Sequence, residues 1–90
     1  MRIEFSEATI ALTGRKMTNG HEWVTVVTHF QDQELDCCPQ IEVKCPVRSD
    51  DSRSIAEAQT EAIAYAVQLL RQTADLLEQR ELAELLRLQE

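Results

Sequence analysis

The sequence predicts an α+β fold: three antiparallel strands (β-β-β-α) with one face of the sheet covered by a long C-terminal helix. Three observations predict it. The first half of the chain alternates apolar and polar residues at the two-residue period of a strand, around Ile3–Leu12, Trp23–Phe30 and Ile41–Val47. Those runs are separated by turn-forming residues. From Ser54 onward there is no Gly or Pro, and the apolar residues recur at helical spacing. The chain has 90 residues, which is the size of one domain. That domain spans residues 1–90, with a β-meander over 1–48 and a helix, or a helix plus a short second helix, over 54–88.

The first strand lies within residues 2–17. Ile3 and Phe5 are odd-numbered, whereas Ile10 and Leu12 are even-numbered. A continuous strand sends the two pairs to opposite faces. A bulge or short break near Ser6–Glu7 reconciles them. Thr18-Asn19-Gly20-His21 is a turn, because Asn-Gly accepts the positive φ angles of a tight hairpin. The next strand, His21 to Phe30, is rich in β-branched and aromatic residues. Val24, Val26 and Phe30 share one face; Trp23, Thr25, Val27 and His29 share the other. A strict two-residue Asn-Gly loop pairs Leu12 with Val27. A loop of odd length instead sets Ile10 and Leu12 with Val24, Val26 and Phe30. The sequence leaves both registers open.

Residues 31–40 are polar, contain Pro39 and read as a loop. In the third strand Ile41, Val43, Cys45 and Val47 point inward, and Pro46 favours an edge or a strand end, since it has no N–H to donate. A polar link, Ser49-Asp50-Asp51-Ser52-Arg53, leads to the helix. Its acids sit near the positive end of the helix dipole. Ser54 and Glu57 have the spacing of a capping box. The buried stripe then runs through Ile55, Ala58, Ala62, Ala66, Leu69, Leu70, Leu76 and Leu77, flanked by Ile63, Val67 and Ala74. The expected core sets Ile10, Leu12, Val24, Val26, Ile41, Val43 and Cys45 against Ala62, Ala66, Leu69 and Leu70.

The tail continues through Leu82, Leu85, Leu86 and Leu88. A helix from Ser54 to Leu88 is about 52 Å long at ~1.5 Å per residue. A nine-residue strand spans only about 30 Å. The sheet therefore cannot cover the whole helix. The four tail leucines become interface candidates, and a homodimer is expected, with a break near 78–81 and a fold-back as the alternative.

Sixteen acidic against nine basic side chains give a net charge of −7. That opposes binding to a phosphate backbone, where affinity comes largely from Lys and Arg. It suits a basic protein partner. The first residues lack the apolar stretch of a signal peptide, and no run reaches the ~18 apolar residues of a membrane span. Three cysteines, an odd number, suit a reducing compartment. The expected location is cytoplasmic.

Motif chemistry is sparse. Cys37, Cys38 and Cys45 with His21 and His29 lack the CxxC spacing of a zinc site. Cys45 reads as a small core residue and the other two as loop thiols. Asp50 and Asp51 precede a helix, where acids act as caps. There is no G-x-S-x-G nucleophile motif. With only two glycines there is no phosphate-binding loop. Arg15, Lys16, Lys44, Arg48 and Arg53 could form a modest basic patch, or be scattered solvated charges. No catalytic residue, metal ligand or cofactor is assigned.

The strand order and the segment SIAEAQTEAIAYAVQLL together resemble the small partial RNase-H-like domain of HicB-type antitoxins. That family also begins its helix with Ser or Thr, two further residues and Glu-Ala, with alanines on the buried side. The family's Pro-Asp-Leu-Pro-Gly strand-end motif is absent here, as is a DNA-binding tail. The resemblance implies an acidic protein that neutralises a partner, and it transfers no catalytic residue. The leading expectation is a small acidic, non-enzymatic protein-binding module of the antitoxin or phage-encoded inhibitor type. One alternative is a nucleic-acid-binding sheet using Arg15, Lys16 and Lys44. Another is a metal- or thiol-dependent site at Cys37 and Cys38.

Overall fold

A computed structural model describes residues 2–16, 19–49 and 52–87, with residues 13–16 described by their backbone alone. The order is β1 (Ile3–Lys16), β2 (His21–Asp32), β3 (Gln40–Arg48), α1 (Ile55–Gln79) and α2 (Leu82–Arg87). The strands form one antiparallel sheet in the order β1-β2-β3, so β2 is central. This is the predicted α+β arrangement. Pro46 lies on the edge strand β3, opposite Trp23.

The parity change in β1 is resolved by a bulge. Phe5 pairs with Phe30 and Glu7 with His29, so Ser6 is the extra residue. Ile3 and Phe5 thereby join Ala8, Ile10 and Leu12 on one face. Leu12 then stands opposite Val24 and Ile10 opposite Val26. That is the second of the two registers left open by the sequence. A further irregularity between Leu12 and Lys16 separates this ladder from the turn. Gly20 has φ +80, a left-handed conformation that L side chains adopt only with strain. Thr18, in the same expected turn, lies outside the described residues, as do Asp50 and Asp51 in the link to the helix.

α1 begins where the capping arithmetic puts it. The Ser54 side chain accepts from the Glu57 amide at 3.1 Å. The Ser54 hydroxyl also donates to the Glu57 carboxylate at 3.3 Å. Ala58, Ala62 and Ala66 are its buried residues. They lie on one stripe, and their small side chains let the helix axis approach the sheet closely.

α1 packs on β3 and β2. Val24, Cys45 and Val47 are fully buried beneath it, with Ile10, Val26 and Val43 packed against them. Each such valine contributes roughly 1.5–3 kcal/mol through burial. Two expected core residues are corrected: Leu12 is 36% and Ile41 42% exposed. Leu12 is on β1, and Ile41 is at the opposite end of β3 from Val47, so both lie beyond the footprint of α1. Val47 and Ala58 join the core instead, and Leu69 and Leu70 are only half-buried.

Residues 31–40 are only partly the loop expected. β2 runs on to Asp32, and Asp32 and Cys37 exchange backbone hydrogen bonds across the turn. The buried Asp32 carboxylate accepts from the amides of Glu34 at 3.0 Å and Leu35 at 3.1 Å. This local bonding replaces the backbone partners that the turn lacks.

The long helix is broken. Arg80 is extended, at φ −110 and ψ 142, while its amide still donates to the Leu76 carbonyl. Every residue of α1 beyond Leu70 is exposed. The charged run Glu78–Glu81 has no packing to hold it helical. α2 follows, and none of its residues is buried.

Candidate functional site

The inner face of the sheet is only partly roofed. At the end of the ladder away from Val47, Phe5 and Phe30 form an edge-to-face pair with ring centroids 6.3 Å apart and planes at 77°. Phe5 is nevertheless 62% exposed. Ile3, two residues before it on β1, is exposed too, as is Ile41 on β3, across the central strand. The bulge at Ser6 creates this surface, because it turns Ile3 and Phe5 to the face that carries the core. No motif in the sequence marks this group as an interface, although the parity switch that produces it is legible there.

The tail leucines divide. Leu82 and Leu86 are exposed and Leu85 is half-buried. Leu88 lies outside the described residues. The long helix adds apolar residues on a flank turned away from the core: Ile63, Val67 and Leu77 are all exposed.

The remaining candidates do not converge. Cys45 is buried, with its thiol 4.0 Å from the Val43 carbonyl, and burial raises its pKa. Cys37 and Cys38 are exposed in the turn after β2. Among the described residues no three His, Cys, Asp or Glu side chains group as metal ligands do. His29 lies on the outer face in register with Glu7 and Gln40. His21 approaches the Asn19 carbonyl through Nδ1 at 3.1 Å.

The basic residues are dispersed. Arg53 forms an ion pair with Glu61 and also donates to the Arg48 carbonyl at 3.5 Å. Lys44 is on the outer face, in register with Thr25. The side chains of Arg15 and Lys16 are outside the described set; the Lys16 backbone stands opposite Glu22. No helix among the described residues is long and apolar enough to cross a membrane. No family model, curated protein or solved structure matches the chain.

Proposed function

We propose that this chain is a small, acidic, non-enzymatic protein-binding module of the antitoxin or inhibitor type. The observation that carries the reading is the uncovered aromatic end of the sheet, around Ile3, Phe5, Phe30 and Ile41. Contiguous exposed apolar surface on a small domain marks an interaction site. Aromatic side chains at the centre of such a patch supply most of the binding energy. The net charge of −7 favours a basic partner by steering its approach. The resemblance to HicB-type antitoxins, carried by the strand order and the Ser54–Glu57 helix start, points the same way.

Affinity capture from the native host, run in parallel with the wild-type chain and Phe5→Asp, tests this. Phe5 is largely exposed, so the substitution leaves the fold intact. The expected result is a basic protein retained in stoichiometric amount by the wild type and lost with Phe5→Asp. A partner held equally by both chains, or none at all, would contradict the reading.

A further inference from the structure

The two edges of the sheet differ in what they offer a further strand. Backbone bonds set the phase of the ladder. Phe30 donates to the Pro39 carbonyl at 2.9 Å, Ser49 to the Gly20 carbonyl at 2.9 Å, and Gln33 to the Arg2 carbonyl at 3.1 Å. Even-numbered positions along β2 therefore turn their N–H and C=O groups to β3, and odd-numbered positions turn theirs to β1. Glu7, Thr9 and Ala11 stand opposite the odd residues His29, Val27 and Thr25, and bond to β2. Ala8, Ile10 and Leu12 stand opposite Thr28, Val26 and Val24. Their N–H and C=O groups point out of the sheet, where no strand lies beyond β1 among the described residues.

The β3 edge is closed to such pairing. By the same phase its outward-facing positions include Glu42, Lys44, Pro46 and Arg48. Pro46 has no N–H to offer, Glu42 and Lys44 are charged, and the Arg48 carbonyl already accepts from Arg53 at 3.5 Å. Proline and charge are the usual guards of a sheet edge. From Ala8 to Leu12, β1 has neither, and its ladder is unbroken.

We propose that this open edge of β1 pairs antiparallel with the β1 edge of a second copy, joining two three-stranded sheets into one. A twofold axis at Ile10 uses all the outward-facing positions between the bulge at Ser6 and the irregularity after Leu12. Ile10 meets Ile10 of the second copy, and Ala8 meets its Leu12, a small side chain beside a large one. Each such pair exchanges two backbone bonds, about six in all. An axis at Thr9 or Ala11 aligns fewer of them. Charge along the strand favours the same partner and direction. β1 begins with Glu4 and Glu7 and ends with Arg15 and Lys16. Antiparallel self-pairing sets the acidic start of one strand beside the basic end of the other, whereas parallel pairing sets like beside like. Because β3 is guarded, pairing closes at two copies instead of running on as a fibre. This edge replaces the tail leucines as the expected site of self-association. It uses the backbone of β1 and not the Phe5 ring, so it and the protein-binding reading can fail separately.

Light scattering and cysteine crosslinking test the pairing. The wild type is expected to be dimeric at micromolar concentration. Ala8→Pro removes an outward N–H and leaves the bonds to β2 in place. It should weaken the dimer at least about thirty-fold, the scale of two lost backbone bonds. Ala8→Ser, and Leu82→Glu with Leu86→Glu, should leave it dimeric. Thr9 and Ala11 are exposed on the outer face. An axis at Ile10 sets Thr9 opposite the second copy's Ala11, with Cα atoms about 4.5 Å apart, within reach of a disulfide. In chains with Cys37 and Cys38 replaced by serine, Thr9→Cys and Ala11→Cys refolded together should crosslink under mild oxidation, and neither should do so alone. This arm does not depend on how well Ala8→Pro folds. A monomeric wild type, a dimer unaffected by Ala8→Pro, or Thr9→Cys crosslinking alone as efficiently as the mixture would each overturn the proposal. A monomeric chain that captures a different protein from the host, and loses it with Ala8→Pro, would give the edge to that protein and overturn it as well.

Discussion

Ser54 shows how one hydroxyl fixes where an element begins. Its oxygen takes the Glu57 amide, one of the orphan donors at the helix N-terminus. Ser54→Ala is expected to cost about 1 kcal/mol of stability, and Glu57→Ala less. Denaturant midpoints for the two variants check this. Cys45 gives the second expectation at this scale. Its thiol is fully buried, whereas Cys37 and Cys38 are exposed. A thiol reagent should modify the latter two in the folded protein and reach Cys45 only on unfolding. Burial raises the Cys45 pKa above its ordinary 9.0. The folded chain keeps that proton where the unfolded chain releases it. The contribution is therefore whole below pH 9.0 and is lost as pH rises through the raised value. Denaturant midpoints measured upward from pH 9.0 should fall more steeply for the wild type than for Cys45→Ala.

The elements were legible where local pattern and burial agree. Ser54 with Glu57 marked the helix start, and the alanine stripe marked its buried line. The odd-to-even switch between Phe5 and Ile10 announced an irregularity near Ser6, a bulge or a short break, because an unbroken two-residue period cannot keep both pairs on one face. The hairpin register was not legible, since it depends on irregular pairing beyond Leu12 that no residue type signals. Leu12 and Ile41 were misplaced for a related reason. Alternation says which face a residue occupies, but only the position of α1 says how much of that face is roofed. Asp32 was missed as a turn-former because it reads as one more polar residue in a polar run. The narrow contact between α1 and the sheet yields a further expectation. Ala62 is fully buried where the helix meets the strands, so Ala62→Leu should overpack the layer and cost about 1–3 kcal/mol. Ala64→Leu, on the exposed back of the same helix, should cost almost nothing. Thermal melts of the two variants give the comparison.

At the scale of the whole molecule, the chain is a slab of 44 × 35 × 17 Å rather than a ball. A single helix over two of three strands leaves the aromatic end of the sheet and one flank of the helix without cover. Such exposed apolar surface on one small acidic chain suits a molecule that is completed by a partner. That such a chain is completed by association is the central claim. Sedimentation equilibrium of the wild-type protein tests it most directly. The account predicts a mass twice the chain's 10.3 kDa across the micromolar range. A single species of 10.3 kDa at high micromolar concentration would contradict it.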